Sequence, residues 1–493
     1  MQKGIVYFVG AGPGDPELLT IKGRRVLREA DVVVFDRLVN PILLTEVKSD
    51  AKLVYCGKQP CQHFLRQEDI QKELLIHARK GKKVVRLKGG DPAVFGRVGE
   101  EAELLSDNKI DYEIVPGITA GIAAPAYAGA TITHREHSRS FAVVSGHSKT
   151  KDGKPDIKWE SLAGSVDTIV FYMGVKHLQL IADQLINHGK PQDTAVLVIQ
   201  WGTLSRQRTI DGTLKTIARK VKQAELTNPA IIVVGDVVKL RKKLQWFDQR
   251  SLSGKGILFP TSDPAQQLIV SELKREGADV YQHPRLTQRS LIKETPFKER
   301  WKDLNSCAEL VFLSDASVDH FIEAINEYDC DLREIHSVFY SNKDSTRDRL
   351  LQIGCRSKEF HSAKKLINPL FVGSELDMKS IDLVDVHKVN HLFTHEDIVS
   401  EGEIQAFNRL VEEEHADTLI LSSKTHALKF LNFLKKGIVS REGLSKLSIL
   451  CQADAVKVLG NEGIHPDVVF EDVGNMTQLM TQLTGRLLLA QES

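Results

Sequence analysis

Two β-branched runs near the start of the chain end in the same way, in glycines followed by an acid and a proline. Residues 5–9 lead into residues 10–16, and residues 83–87 lead into residues 88–92. A strand that ends in glycines exposes backbone amides and carbonyls, because no Cβ keeps a ligand away. We therefore expect a small molecule to be held by main-chain groups at these two loops.

The composition is that of ordinary globular domains, with 42% hydrophobic and 27% charged residues. A chain of 493 residues is long enough for about two to four domains. The net charge of +1 provides no field that would attract a polyanion, which argues against nucleic-acid binding.

The cysteines and the apolar stretches indicate the compartment. Six scattered cysteines lack the spacing of a zinc site, so we expect reduced thiols and no metal centre. The longest uncharged stretch, residues 117–133, is too short and too weakly apolar to cross a bilayer comfortably. The chain also enters a strand pattern at once, without the features of a secretion signal. These observations predict a cytoplasmic protein without a membrane span.

Short β-branched runs alternate with amphipathic segments up to about residue 245, which predicts an α/β domain with a largely parallel sheet. The predicted strands are 5–9, 32–35, 52–55, 83–87, 141–144, 167–172, 194–199 and 230–234. A polar segment interrupts this pattern, and a second α/β pattern follows it. We therefore predict a first domain over 1–248, a linker over 249–255 and a second domain over 256–493.

Two segments of the second domain are similar to each other. Residues 308–321 and 416–430 each read as a strand, a serine-containing turn able to cap a helix, and a helix. This repeat predicts two lobes, one over about 256–290 and 383–490 and the other over about 300–382. The strands expected in this half are 278–282, 309–313, 335–340, 383–390, 417–421 and 447–451.

The first glycine loop has part of a dinucleotide-binding pattern. It begins Gly-x-Gly, and Asp36 follows the next predicted strand as a ribose-binding acid would. However, Asp15 occupies the third glycine position, and Pro13 and Pro16 interrupt the point where a helix should begin. A site for S-adenosylmethionine is the alternative, because this molecule has no phosphate and can be held by backbone groups and apolar walls.

Collinear sequence blocks in the first half carry a more specific signal. They lie at residues 10–20, 36–39, 57–58, 86–97, 115–121, 126–129, 133–135, 145–147, 172–174 and 229–230. In this order they resemble uroporphyrinogen-III C-methyltransferase, over about residues 4–246. The resemblance implies a two-subdomain tetrapyrrole methylase fold, S-adenosylmethionine as cofactor, a homodimer, and methylation of uroporphyrinogen III at C2 and C7 to precorrin-2. Methylation of a later corrin intermediate stays open as an alternative.

The same resemblance implies roles for individual residues. Asp36 falls at the position of a proton acceptor, and Lys58 falls at that of a proton donor. The residues that it places around S-adenosylmethionine are Pro13, Gly89, Gly90, Asp91, Val94, Thr119, Ala120, Met173 and Gly202. Because the implied substrate is rich in carboxylates, which arginine binds through paired hydrogen bonds, we also expect substrate contacts from Arg37, Arg97, His134 and Arg135.

The second half resembles uroporphyrinogen-III synthase at residues 258–261, 276–278, 311–314, 418–430 and 463–469. That resemblance implies a bilobal α/β fold and the cyclisation of hydroxymethylbilane to uroporphyrinogen III. Ser314 and Ser422 are the expected substrate-binding residues, and both also suit a helix cap. His387 stands where the family often has a tyrosine. The alternative for this half is a non-catalytic binding or channelling module.

Overall fold

A computed structural model describes residues 4–57, 67–147, 155–260, 266–361, 365–381, 389–435, 441–471, 479–481 and 483–484. Over these residues the strands form four five-stranded sheets and one two-stranded ladder. Each of the four sheets has buried apolar clusters on both faces. No helix in the described part combines the length and apolar character needed to cross a membrane. Free thiols are present at Cys56, Cys307, Cys330, Cys355 and Cys451.

The first sheet is entirely parallel, with strand order β3-β2-β4-β1-β5. Its strands are β1 (Ile5–Gly10), β2 (Val32–Phe35), β3 (Lys52–Tyr55), β4 (Lys83–Lys88) and β5 (Asp111–Val115). Its helices are α1 (Ile21–Glu29), α2 (Gln67–Arg79) and α3 (Val98–Asp107). Because all five strands run the same way, the loops after β1, β2, β4 and β5 meet at one edge.

The second sheet is mixed, with strand order β6-β7-β10-β8-β9. Its strands are β6 (Phe141–Ser145), β7 (Thr168–Tyr172), β8 (Ala195–Gln200), β9 (Arg208–Thr213) and β10 (Ala230–Val234). Its helices are α4 (Ala120–Tyr127), α5 (Trp159–Ser165), α6 (Leu178–Asn187), α7 (Ile217–Gln223) and α8 (Arg241–Leu244). Only β6 and β7 pair in parallel, so the predicted largely parallel sheet is wrong here. Strand direction depends on how the connections cross the sheet, which the pattern of apolar residues does not record.

The second half contains two all-parallel sheets. The first, in order β12-β11-β20-β21-β22, comprises β11 (Gly256–Leu258), β12 (Asp279–Tyr281), β20 (Thr418–Leu421), β21 (Ser448–Gln452) and β22 (Val468–Phe470). The second, in order β16-β15-β14-β17-β18, comprises β14 (Glu309–Phe312), β15 (Val338–Ser341), β16 (Lys358–Glu359), β17 (Pro369–Gly373) and β18 (His391–Phe393). The antiparallel ladder of β13 (Thr287–Ser290) and β19 (His395–Ile398) lies between them in the chain.

The helices that accompany the first of these two sheets in sequence are α9 (Gln267–Arg275), α14 (Glu401–Glu412), α15 (Lys424–Lys435), α16 (Arg441–Ser445) and α17 (Ala453–Gly460). Those that accompany the second are α10 (Thr295–Trp301), α11 (Asp315–Glu327), α12 (Asp344–Gln352) and α13 (Glu375–Ser380). Strand β18 pairs with β17, so the chain leaves the second sheet only after Phe393. The expected lobe boundary at residue 383 is therefore too early. Most of the expected strand at 383–390, with His387, lies outside the described residues.

The two halves of the chain contact each other directly. Helix α14 packs against a 3-10 helix of the first half, Pro41–Glu46. The approach is so close that a Cβ on Gly402 would collide with the carbonyl oxygen of Leu44. Ile42 packs on the apolar cluster around Phe407 and Phe433 in the second half. The 3-10 helix that follows Asp36 thus belongs to the interface between the halves.

Candidate active site

The two glycine loops predicted to hold a ligand meet each other at the edge of the first sheet. The backbone N–H of Gly90 donates a 2.7 Å hydrogen bond to the carbonyl of Gly12. In return, the N–H of Gly12 donates a 3.2 Å bond to the carbonyl of Gly90. Two separate sequence motifs therefore form one main-chain surface.

Glycine is required at this meeting point because three backbones converge on it. A Cβ on Gly10 would lie 2.5 Å from the Cα of Gly117 and 2.7 Å from the carbonyl oxygen of Gly90. Gly90 itself has a φ of +69°, a backbone conformation that residues other than glycine adopt only with strain. Gly89 faces Leu38, whose Cβ would be 3.1 Å from a Cβ at position 89.

Asp91 fastens this arrangement. One carboxylate oxygen accepts a 2.7 Å hydrogen bond from the N–H of Ala93, and the other accepts a 2.9 Å bond from the N–H of Gly117. Val94 follows in the same loop, and its N–H donates to the carbonyl of Asp91. The Asp91 carboxylate thus ties the loop after β4 to the loop after β5.

The start of helix α4 faces the glycine loops. The Cβ position of Gly90 is 3.8 Å from the backbone nitrogen of Ala120. The hydroxyl of Thr119 lies 2.5 Å from that of Tyr172, at the end of β7, and Tyr172 also accepts a hydrogen bond from the N–H of Gly121. Burial raises the pKa of Tyr172. Met173 follows with a positive φ of 55° and an exposed side chain.

Pro13 and Gly202 lie at the other side of the first glycine loop. A Cβ on Gly14 would be 3.0 Å from the carbonyl oxygen of Gly202. The N–H of Asp15 donates a 3.0 Å hydrogen bond to the hydroxyl of Thr203. The nine residues expected to bind the cofactor therefore lie on neighbouring loops and at the start of helix α4.

The structure also reveals a buried ionic network behind Asp36 that the sequence analysis did not single out. Arg86 donates a 2.6 Å hydrogen bond from Nη2 to Oδ1 of Asp36. Its Nε lies 3.7 Å from Oε1 of Glu101, and Lys88 Nζ donates a 3.2 Å bond to the same oxygen. Gln67 donates another bond to Glu101. Glu101 is fully buried, so its charge depends on these partners.

The side chains expected to bind substrate are more dispersed. Arg37 is exposed beside Asp36, whereas Arg97, also exposed, forms an ion pair with Glu100 that raises its pKa. His134 and Arg135 lie in a tight turn before β6, and no hydrogen bond or ion pair of the described residues joins them to the glycine loops. Lys58 lies outside the described residues.

The turn at His134 also brings together three side chains of types that can bind a metal ion. Ligand atoms of His134, Glu136 and His137 lie within 4.8 Å of one another, a spacing that suits a metal ion. Glu136 is exposed, and Nδ1 of His134 already accepts a hydrogen bond from the N–H of Glu136. The expectation of no metal centre stays a prediction.

An apolar rim surrounds the glycine loops. It consists of large hydrophobic side chains that are between 37% and 47% exposed, on the loops described above and in the first turn of α4: Leu38, Phe95, Ile118, Ile122 and Met173. The ring of Phe95 contacts that of Tyr172 at 5.2 Å between centroids. Exposed apolar groups gathered at one place are typical of a binding surface. Apart from Met173, sequence reasoning missed them, because isolated apolar residues in loops carry no periodic signal.

Comparison with known proteins identifies relatives that agree with one another in family. Residues 5–218 match the tetrapyrrole (corrin/porphyrin) methylases. A uroporphyrinogen-III C-methyltransferase of Bacillus subtilis (strain 168) is 39% identical over 459 residues, covering 92% of each chain. Another, from Priestia megaterium, is 57% identical over 236 residues, covering 48% of this chain and 98% of that protein. This chain belongs to the uroporphyrinogen-III C-methyltransferase family.

A solved structure of a family member is also similar in sequence. It is the uroporphyrin-III C-methyl transferase from Thermus thermophilus complexed with S-adenyl homocysteine, 39% identical, covering 48% of this chain and 100% of that chain with a TM-score of 0.42. The match to the family member from Bacillus subtilis covers 92% of this chain and therefore extends into the second half.

In this member of the uroporphyrinogen-III C-methyltransferase family, Ser314 and Ser422 follow β14 and β20 at the carboxyl edges of the two parallel sheets. Ser314 caps helix α11 by accepting a 3.2 Å bond from the N–H of Ser317, and it donates a 2.7 Å bond to Asp377. Ser422 donates a 2.9 Å bond to Gln266 and lies 2.7 Å from Nδ1 of His426. Both hydroxyls already have partners within the protein.

Proposed function

We propose that the first half of this chain transfers methyl groups from S-adenosylmethionine to C2 and C7 of uroporphyrinogen III, giving precorrin-2. The observation that carries the proposal is the meeting of the Gly12 and Gly90 loops next to Asp36, whose N–H bonds to the carbonyl of Leu87. Membership of the uroporphyrinogen-III C-methyltransferase family supports the choice of substrate.

The residues of this edge fit S-adenosylmethionine. Gly89 and Gly90 present main chain without side chains, and Thr119 and Ala120 begin a helix that faces them. Apolar side chains such as Met173 supply a wall for the adenosine and the methionine chain. When bound, S-adenosylmethionine supplies an electrophilic methyl group on a sulfonium. The task of the protein is then alignment, because a correctly placed carbon nucleophile needs little further activation.

The charged residues at this edge have two proposed roles, namely proton transfer and the binding of substrate carboxylates. Asp36 is partly exposed and is held through Oδ1 by Arg86, and it is the proposed acceptor of the proton that the methylated macrocycle loses. Arg37, Arg97, His134 and Arg135 are the proposed partners of substrate carboxylates, and Lys58 is the proposed proton donor. The rim that includes Leu38 and Phe95 would pack against the apolar macrocycle.

Product analysis with full-length protein tests this proposal. Uroporphyrinogen III and a later corrin intermediate are offered separately with methyl-labelled S-adenosylmethionine. We expect uroporphyrinogen III to gain two labelled methyl groups, at C2 and C7, and the corrin intermediate to gain none. Transfer only to the corrin intermediate would replace the proposed substrate, and absence of transfer to either would overturn the function.

For the second half, we propose cyclisation of hydroxymethylbilane to uroporphyrinogen III. The supporting observation is a pair of five-stranded parallel sheets joined through the β13–β19 ladder, with Ser314 and Ser422 at their carboxyl edges. Ligands of open parallel sheets bind at such edges. Full-length protein given hydroxymethylbilane without S-adenosylmethionine should yield the type-III isomer. Formation of the type-I isomer alone would favour a non-catalytic binding or channelling module.

We also propose a homodimer, as the resemblance implies, and a cytoplasmic location, as the cysteines and the apolar stretches of the sequence indicate. Sedimentation of the full-length chain at micromolar concentration tests the assembly, and a monomer throughout would contradict it.

A further inference from the structure

Arg409, on helix α14 of the second half, is buried against the loop that carries Asp36. Its Nη2 donates a 2.8 Å hydrogen bond to the carbonyl of Arg37 and a 3.3 Å bond to the carbonyl of Val39. Its guanidinium carbon lies 4.9 Å from the ring centre of Tyr55 and 5.4 Å from that of Phe35. One arginine of the second half therefore makes four contacts around the end of β2 and β3.

The segment that Arg409 holds is a tight turn. The N–H of Val39 donates to the carbonyl of Asp36, which closes residues 36–39 into a single turn. Leu38 in this turn faces Gly89, and Asn40 directly after it donates a 2.9 Å hydrogen bond to the carbonyl of Gly14. The turn thus touches both glycine loops and carries the proposed proton acceptor.

Because Arg409 is buried, its hydrogen bonds influence the position of the turn. Arg409 is only 6% exposed and its Nη1 has no hydrogen-bond partner among the described residues, so its buried charge depends on the bonds that Nε and Nη2 make. Glu413, one helical turn away on α14, accepts a 2.8 Å hydrogen bond from its Nε and balances the charge. The carbonyls of Arg37 and Val39 satisfy Nη2, so the position of the turn and the position of α14 are coupled.

We infer that Arg409 is a positioning residue for methyl transfer, through which the second half of the chain fixes the turn of Asp36 in the first half. This inference rests on the proposed role of Asp36. It assigns the second half a contribution to methylation that is independent of any cyclisation activity. Arg409 touches neither cofactor nor substrate in this account, and it acts only through the backbone of residues 36–39.

The test compares four full-length proteins: wild type, Arg409→Ala, Asp36→Ala and the double variant. Arg409→Ala should lower kcat for methylation of uroporphyrinogen III about tenfold, because small displacements of catalytic groups are costly. Its affinity for S-adenosylhomocysteine should change less than about twofold, because the glycine loops are held by their own bonds. In the Asp36→Ala background, the same substitution should have almost no further effect on kcat.

Two additional variants control for stability. Arg409→Lys keeps the positive charge but loses the guanidinium that bonds to the carbonyls of Arg37 and Val39. We expect this variant to recover part of kcat, and to remain folded even if Arg409→Ala does not. Lys274→Ala removes an ion pair with Glu17 between the same two halves. No hydrogen bond or ion pair of the described residues joins Lys274 to residues 36–39, so this variant should leave kcat unchanged.

The outcomes separate this inference from the proposed function. Undiminished kcat in Asp36→Ala contradicts the role of Asp36 itself. A strong Asp36→Ala effect beside wild-type kcat in Arg409→Ala overturns only the positioning role. An Arg409 effect that is equally large without Asp36, or that appears equally in S-adenosylhomocysteine affinity, also overturns it.

Discussion

Arg86 and Asp36 form a hydrogen bond of 2.6 Å in which the guanidinium is buried and the carboxylate is partly exposed. The bond engages Oδ1 of Asp36, and the Asp36 side chain is 32% exposed. Asp36→Asn preserves an acceptor for Arg86 but removes the basic oxygen, whereas Asp36→Ala removes both. We expect both variants to lose about 100-fold in kcat, the usual value of a general base, and to bind S-adenosylhomocysteine like wild type. Near-normal kcat in Asp36→Asn would show that this carboxylate accepts no proton.

Glu101 is the buried centre of the network that contains Arg86 and Lys88. Replacing it by alanine removes the carboxylate partner of the buried Lys88 and leaves the buried Arg86 with Asp36 alone, so we expect the free energy of unfolding to fall by about 3–5 kcal/mol. Glu100 is the matched control, because it is the neighbouring residue but is exposed and forms an exposed ion pair with Arg97. Glu100→Ala should cost less than about 1 kcal/mol. Urea unfolding measures both, and equal losses would contradict the importance of the network.

His415 makes part of the contact between the halves, where it accepts a 3.1 Å hydrogen bond from Arg206 and lies against Trp201. Burial lowers the pKa of His415 to about 4, because desolvation disfavours the charged imidazolium. The unfolded chain takes up this proton near pH 6.5, so acid stabilises the unfolded state. From pH 7 to pH 4, we expect wild type to lose about 3 kcal/mol relative to His415→Asn. A constant difference in unfolding free energy over this range would contradict a buried neutral imidazole.

Substitution of Ser314, the serine after β14, tests whether this residue is a helix cap or a substrate ligand. As the N-cap of α11, its loss in Ser314→Ala should lower the free energy of unfolding by about 1 kcal/mol. Ser314→Thr retains a hydroxyl and should recover most of that loss. Conversion of hydroxymethylbilane is measured on the same variants. A stable Ser314→Ala with a raised KM for hydroxymethylbilane would instead indicate a substrate contact.

Part of this architecture was predictable because it depends on local patterns. The runs at β1, β2 and β4 are β-branched and buried, and their glycine-rich ends mark the edge where the loops meet. In the first half, by contrast, β5 and β9 were missed. Both are edge strands with exposed polar residues, so they lack a continuous apolar run.

The charged parts of the site were less predictable. No local pattern marks Lys88 and Glu101 as buried, and only their packing behind Asp36 shows that they are buried partners. Arg409 is more than 370 residues from Asp36 along the chain, and no local pattern signals that its carbonyl partners lie in the first half. Long-range polar contacts of this kind depend on the fold itself.

The most direct test of the candidate site is calorimetric titration of S-adenosylhomocysteine into full-length wild type, Gly117→Ala and Gly99→Ala. A Cβ on Gly117 would collide with Gly10 and with the carbonyl of Gly90, whereas one on Gly99 meets nothing within 4 Å. We predict that wild type and Gly99→Ala bind equally and that a folded Gly117→Ala binds at least about tenfold more weakly, a loss of about 1.4 kcal/mol. Absence of binding by wild type, or wild-type affinity in Gly117→Ala, would contradict a cofactor site where the two glycine loops meet.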